Sequence, residues 1–276
     1  MKIVKEVIYV RHNIEYENAK YLFDNKMIGL RYDNINSIDP EDYRNKDAKY
    51  ALARLQTFCD TGVIVAVHYI SDPVNLTIGI IKPNSKIIPI KPKKYFLKTV
   101  KITDTFPISF FDYPVLAAIQ PQRSTISKWK GAKEIITAIY NGKPLKKEVN
   151  SLAPAQQEVL CYEYMVVKGI LKHLLMPIGR SLPHIDIYGI SDKNKNIIAQ
   201  VTFTNDSKKV LEKKEILKKY ISRDNKLFFF GRKEMMFNDS KIKFISLETV
   251  FRFMNKQKET KLLIERMLNK DVNKKV

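Results

Sequence analysis

Asp186 and Gln200 are the residues of this sequence best suited by type and spacing to hold a metal ion. Both lie in His184-Ile-Asp-Ile-Tyr-Gly-Ile-Ser-Asp-Lys-Asn-Lys-Asn-Ile-Ile-Ala-Gln-Val-Thr-Phe-Thr204. Two β-rich runs, Ile185 to Ile190 and Ile197 to Phe203, flank the polar turn Ser-Asp-Lys-Asn-Lys-Asn, a pattern that predicts a hairpin. If the register puts Asp186 and Gln200 on one face, a carboxylate and an amide oxygen converge there, and hard oxygen donors are what Mg²⁺ requires. An acid between apolar strand residues is costly unless it has a partner, which argues for a purpose at Asp186. The plain alternatives are an Asp at a water-exposed sheet edge and a solvated strand position for Gln200.

The elements around this hairpin must position it. Upstream, Ala155 to Val167 has helical spacing, with Val159, Leu160, Tyr164 and Val167 as its apolar stripe and Pro154 suited to the first turn. That helix carries Glu158 and Glu163. Downstream, Ser207 to Ile221 reads as a lysine-rich amphipathic helix, with Val210, Leu211, Ile216 and Leu217 apolar and Lys208, Lys209, Lys213, Lys214, Lys218 and Lys219 charged. Lys226 to Gly231 is apolar on both sides, hence a central strand. Ile242 to Ser246 is another strand, and Leu247 to Met254 begins a closing helix. The tail, Asn255 to Val276, is helical in pattern and so charged that fraying is expected.

At these residues the chain resembles the PD-(D/E)xK, or restriction-endonuclease-like, nuclease superfamily, and within it the Mrr-like restriction branch. The family pattern is a helix Glu, a strand Asp, then Glu or Gln, any residue and Lys on the next strand. The matches are Glu158, with Glu163 as the other candidate, then Asp186 and Gln200-Val201-Thr202, within a stretch from Ser151 to Asn255. The resemblance implies a Mg²⁺ or Mn²⁺ ion held by Asp186, Gln200 and Glu158, and a mixed sheet flanked by helices. Thr202 stands where the family has lysine. An ammonium would orient the attacking water and stabilise developing charge, whereas a hydroxyl donates only a neutral hydrogen bond. Either a following lysine, such as Lys208 or Lys209, fills that space, or catalysis is weakened or absent.

The N-terminal half changes period repeatedly. Ile3 to Arg11, Met27 to Tyr32, Val63 to Ile70, Thr77 to Ile81 and Tyr95 to Ile102 read as strands. Glu15 to Asn25 reads as a short helix with Ala19, Leu22 and Phe23 inward. Lys46 to Thr61 reads as a longer helix, with Ala48, Ala51, Leu52, Leu55, Phe58 and Cys59 on one face and Gly62 closing it. This element order, with Gly62-Val-Ile-Val-Ala-Val and Ile78-Gly-Ile-Ile, resembles the PUA-like group that includes the EVE and YTH readers of modified bases. The resemblance implies a pocket for a flipped, modified base. Tyr32, Tyr50, Tyr69 and Trp129 are the aromatic candidates to line it.

A second stretch, Gln120-Pro-Gln-Arg-Ser-Thr-Ile-Ser-Lys-Trp-Lys-Gly, places Arg123, Lys128 and Lys130 around the single tryptophan, Trp129. Cations and the hydroxyls of Ser124, Thr125 and Ser127 suit phosphate, and an indole can stack on an unpaired base. The alternative is that Trp129 anchors a helix from Ile126 to Tyr140 whose Ile135, Ile136 and Ile139 are core. The organisation expected is therefore α/β (α+β): a PUA-like recognition domain at 1–140, a linker at 141–150 and a nuclease-like domain at 151–276.

Composition bounds the partners. A formal net charge of +20, from 49 Lys+Arg against 29 Asp+Glu, favours an acidic partner, most commonly nucleic acid. A lysine-rich composition from an AT-rich genome would also raise the charge. The two cysteines, Cys59 and Cys161, lie in apolar helical patterns with no zinc-like spacing. No apolar run approaches the ~20 residues of a membrane span, so a cytoplasmic protein is expected. No G-x-x-x-x-G-K-[ST] occurs, so any NTPase would be a separate chain. The leading expectation is a Mg²⁺-dependent DNA endonuclease of restriction or defence type directed to modified DNA. Such an enzyme with one site per chain is expected to pair as a homodimer. The rival is a nuclease-fold protein that binds DNA or RNA without cutting it.

Overall fold

The computed structural model describes residues 6–13, 15–121, 125–179 and 182–269. The chain divides into two compact units, residues 1–145 and 146–276, both of mixed α and β structure. Among the described residues no helix is long and apolar enough to cross a membrane.

The first unit begins with β1 (Val7–His12), α1 (Tyr16–Asp24), β2 (Met27–Leu30) and α2 (Lys46–Thr61). It continues through β3 (Val63–Tyr69), β4 (Asn75–Ile81), β5 (Ile88–Ile90), β6 (Leu97–Lys101) and β7 (Thr103–Ser109). It closes with α3 (Pro114–Ala118), β8 (Ile126–Lys128) and α4 (Lys133–Tyr140). One sheet runs β7-β4-β3-β1-β8, with β1 and β3 parallel and the other pairs antiparallel. A second, antiparallel sheet runs β2-β6-β5.

Helix α2 has the limits its sequence predicts. Asn45 Oδ1 accepts from Asp47 N at 2.8 Å to cap its start, and Gly62 ends it at φ 73°. All six predicted inward residues of α2 are buried, and Leu55 and Phe58 pack with Ile8, Val10, Val65 and Val67. Phe23 departs from expectation: 38 % of it stays exposed, with its edge against Tyr69. The predicted helix from Ile126 is also corrected. Residues 126–128 pair antiparallel with β1, and the helix starts only at Lys133. A three-residue edge strand is too short to announce itself by alternation.

The second unit holds α5 (Pro154–Val167), β9 (His173–Leu174), β10 (Ile187–Ile190), β11 (Asn196–Val201) and α6 (Ser207–Lys218). β12 (Asn225–Gly231), β13 (Ile242–Ser246), α7 (Leu247–Met254) and α8 (Lys258–Leu268) complete it. Its sheet runs β13-β12-β11-β10-β9, parallel from β11 to β13 and antiparallel at the β10 hairpin and β9.

Alternation along β12 sets the two faces of this sheet. Leu227 and Phe229 join Val210 and Leu217 of α6, while Phe230 meets Tyr164 of α5. The stripe of α5 is rotated from the predicted one: Leu160, Cys161, Tyr164 and Met165 are buried, and Val167 is exposed. The expected fraying of the tail is overturned as far as Leu268, because α8 buries Ile264, Met267 and Leu268 and its Met267 carbonyl accepts from Gln156 Nε2 at 2.6 Å.

Candidate active site

The β10–β11 hairpin pairs Ile187 with Ala199, which sets Asp186 across from Gln200. Asp186 N donates to Ala199 O at 3.0 Å. Its side chain turns to the following residues: Val201 N donates to Asp186 Oδ2 at 2.6 Å, and Gln200 Nε2 donates to the same oxygen. Burial pushes the Asp186 carboxyl above the ordinary carboxylate range. The Val201 amide, the Lys213 charge, the Gln200 amide and His184 oppose that rise without cancelling it. Gln200 is 2 % exposed, and its Nε2 also donates to Val201 O at 3.0 Å. That leaves Gln200 Oε1 buried with no hydrogen-bond partner, an arrangement that costs free energy unless something else satisfies it.

Helix α5 brings Glu158 to this end of the sheet. The buried Cys161, one turn further along, has its thiol pushed up by burial and by the charges of Asp186 and Glu158, so both carboxylates lie near one thiol. Glu158 Oε2 sits beside Gly179, whose N–H donates to Asp186 O at 2.8 Å. Glu163 lies five residues on, about 140° around the helix. Of the two helix acids, Glu158 is therefore the one on the side of α5 that faces Gly179 and Cys161. Among the described residues no three His, Cys, Asp or Glu side chains form a metal-binding group. The set here is two carboxylates and a carboxamide with an orphaned oxygen, all hard donors, and it fits Mg²⁺ or Mn²⁺ rather than a thiophilic ion.

The cation near these oxygens is not the expected one. Lys208 and Lys209 are exposed at the start of α6, where Asp206 Oδ1 accepts from their backbone amides at 3.0 and 3.4 Å. Thr202 is buried, with its amide donating to Phe230 O at 2.8 Å. Lys213 instead lines a cavity of about 420 Å³ with Asp186, Gln200, Leu182 and His184. The helical period explains this: Val210 and Leu217 turn α6 onto the sheet, and Lys213 lies between them on the inner side. That stripe was legible in the sequence but flanks Lys214 as closely as Lys213, and Lys214 pairs with Asp239 at 3.2 Å. His184, at the cavity mouth, is exposed and adopts φ 63°, a conformation uncommon for a residue with a side chain.

In the first unit, Trp129 is 3 % exposed, donates from Nε1 to Ile119 O at 3.0 Å and packs edge-on to Tyr9 at 5.0 Å. It cannot stack on a base, so the core reading holds for it. Trp129→Phe is expected to lower stability by about 1–3 kcal/mol through the orphaned Ile119 carbonyl. A urea melt of the two proteins checks it. Lys128 pairs with Glu6 at 2.8 Å and Lys130 is exposed, while Arg123 lies outside the described residues.

The hollow of this unit lies elsewhere. A cavity of about 550 Å³ is lined by Arg11, Tyr32, Tyr50, Arg54 and Thr125. Tyr50 is 70 % exposed, while Tyr69 is buried with its hydroxyl donating to Met27 O at 2.7 Å. An adjoining recess shares Arg11 and Thr125 and is lined by Asn18, whose buried Oδ1 lacks a partner.

No family model matches the chain, and no curated protein matches it. Among solved structures, the crystal structure of a repair endonuclease from Pyrococcus abyssi aligns over 84% of this chain and 96% of that one, at 10% identity. The TM-score of that alignment is 0.23, a likeness too slight to carry an inference about fold or activity.

Proposed function

We propose that this chain is a divalent-cation-dependent DNA endonuclease, with the second unit cutting and the first selecting the target. The observation that carries the reading is the apposition of Asp186 and Gln200 beside Glu158, with a buried amide oxygen left unpaired. The Gln200 amide turns its NH₂ group to the Asp186 carboxylate. Turned over, it would give up the Nε2 bonds to Asp186 and to Val201 O and present Oε1 there instead, which is unfavourable beside those oxygens unless a cation lies between them.

A bound Mg²⁺ would supply polarisation of the phosphate and a lowered pKa for water. Asp186, Glu158 and Gln200 would hold it, and the low exposure of Gln200 keeps bulk water from one side. Lys213 would place a positive charge beside the phosphate as its negative charge grows. In the hydrolysis a water gives up a proton to solvent as its oxygen bonds to phosphorus, the phosphorus–oxygen ester bond breaks, and the released alkoxide takes a proton from solvent. Cutting both strands requires two such sites, and a homodimer would supply them.

The cavity of the first unit has the chemistry for a base and its phosphate: two arginines for charge and two tyrosines for a planar ring. Reading it as the seat of a flipped, modified base makes the enzyme a modification-dependent defence nuclease. Tyr50→Ala is expected to weaken DNA binding about tenfold or more without lowering stability, since the side chain is mostly exposed. Fluorescence anisotropy and a thermal melt test the two halves.

Incubation of modified and unmodified DNA with Mg²⁺ or with EDTA tests the whole reading. Cleavage is expected with Mg²⁺ alone, and faster on the modified substrate. Thr202 in the lysine position favours a second reading, a nuclease-fold protein that binds without cutting. Salt-sensitive binding with no Mg²⁺-dependent cleavage would establish it, and equal-length RNA and DNA would show which is preferred.

A further inference from the structure

Gly179 adjoins the Glu158 carboxylate and the backbone of Asp186. Its amide donates to Asp186 O at 2.8 Å, which ties down the backbone that carries the Asp186 side chain. Its backbone is left-handed, φ 72°, a conformation glycine adopts without the crowding a Cβ brings. The space a side chain would need is already occupied, because a Cβ on residue 179 would lie 2.6 Å from Glu158 Oε2. That oxygen ends a flexible side chain, so a methyl group at 179 would displace the carboxylate more readily than it would disrupt the fold. Gly169, in the same unit, has φ 63° and nothing within 4 Å of where its Cβ would be. The two glycines share a backbone requirement and differ in what adjoins them.

We propose that Gly179 is a positioning residue: its bare Cα lets Glu158 approach while its amide anchors Asp186, and so it sets the separation of the two carboxylates for a divalent cation. The inference rests on the reading of Asp186 and Glu158 as cation ligands. A role confined to the turn would make Gly179 and Gly169 equivalent. A role in spacing the carboxylates makes only Gly179 matter for the ion.

The test is Mn²⁺ binding to the full chain, read from the loss of the free-ion EPR signal, for wild type, Gly179→Ala, Gly169→Ala and Asp186→Asn. Gly179→Ala is expected to bind about 10- to 100-fold more weakly, the range seen when a ligand's support is removed. Gly169→Ala should bind as wild type, and Asp186→Asn should not bind. Adding Glu158→Asp, which shortens the side chain by one methylene, should weaken binding in the wild type and strengthen it in Gly179→Ala.

Wild-type affinity in Gly179→Ala overturns the proposal and leaves the cation reading standing. Absence of Mn²⁺ binding to the wild type overturns both. Should Gly179→Ala not fold, the Gly179→Ala/Glu158→Asp protein carries the test. Recovered folding and Mn²⁺ binding support the proposal, and failure to recover them, with Gly169→Ala folded, overturns it.

Discussion

Asp186→Asn is expected to lower Mg²⁺-dependent cleavage by on the order of 10³-fold, more than the 10- to 100-fold typical of residues that only support a ligand, and to leave the metal-free fold intact. Asparagine has nearly the shape of aspartate, and its carbonyl oxygen can accept from Val201 N and Gln200 Nε2 as Asp186 Oδ2 does. What it lacks is the charge that holds a cation.

The same carboxylate opposes folding in the absence of an ion. Burial raises the Asp186 carboxyl above its unfolded value, so the folded chain binds more protons between those two pKa values. Stability from this group is therefore present below the unfolded pKa and declines as pH rises through the window up to the folded one. At neutral pH the charged, buried carboxylate is a liability that asparagine removes. The metal-free variant should melt at or above the wild-type temperature, and Mg²⁺ should raise the melting temperature of the wild type only. Melts with and without Mg²⁺, beside a single-turnover cleavage assay, decide it. A variant that cuts as wild type removes Asp186 from the reaction, and one that melts well below wild type makes its role structural.

Lys213→Ala is expected to slow cleavage about 10²- to 10³-fold, the effect of removing one donor from a developing negative charge, while Lys208→Ala cuts at the wild-type rate. Lys213 lines the cavity with Asp186 and Gln200, and its charge acts on the Asp186 carboxyl. Lys208 is exposed at the capped end of α6. Among the described residues Lys213 has no carboxylate within ion-pair distance, so its removal should change stability little. DNA affinity should fall only as one lost phosphate contact would make it fall, with the salt slope reduced by about one. Rates under saturating protein separate this from a binding defect. Equal losses in Lys208→Ala and Lys213→Ala would show only the loss of surface charge, and an unaffected Lys213→Ala would favour the binding protein over the nuclease.

Much of the second unit was legible in the residues themselves. β13 and α7 have the limits that their apolar patterns predict, and β12 is central, as a strand apolar on both sides must be. The hairpin and its acid could be read because alternation and a polar turn are local signals. Other features could not be read. β5 and β7 contain prolines and mixed polarity, Pro89 and Pro107, and form strands only because β6 and β4 supply partners. Trp129, flanked by two lysines in a basic segment, could be read as a packed anchor or as a contact for nucleic acid, and the packing of Tyr9 and the Ile119 carbonyl decides for the first.

The sequence alone determined the strong positive charge, the apolar stripe that folds α2 onto its sheet, and the candidate pair Asp186 and Gln200. The tertiary structure alone decided that Glu158 lies beside Gly179, that Lys213 lines a cavity with Asp186 and Gln200, and that Tyr32 and Tyr50 line a hollow of the first unit. Periodicity reports which face of an element turns inward. Which polar groups of separate elements then meet depends on strand register and helix phase, and these are set by packing between residues far apart in the chain.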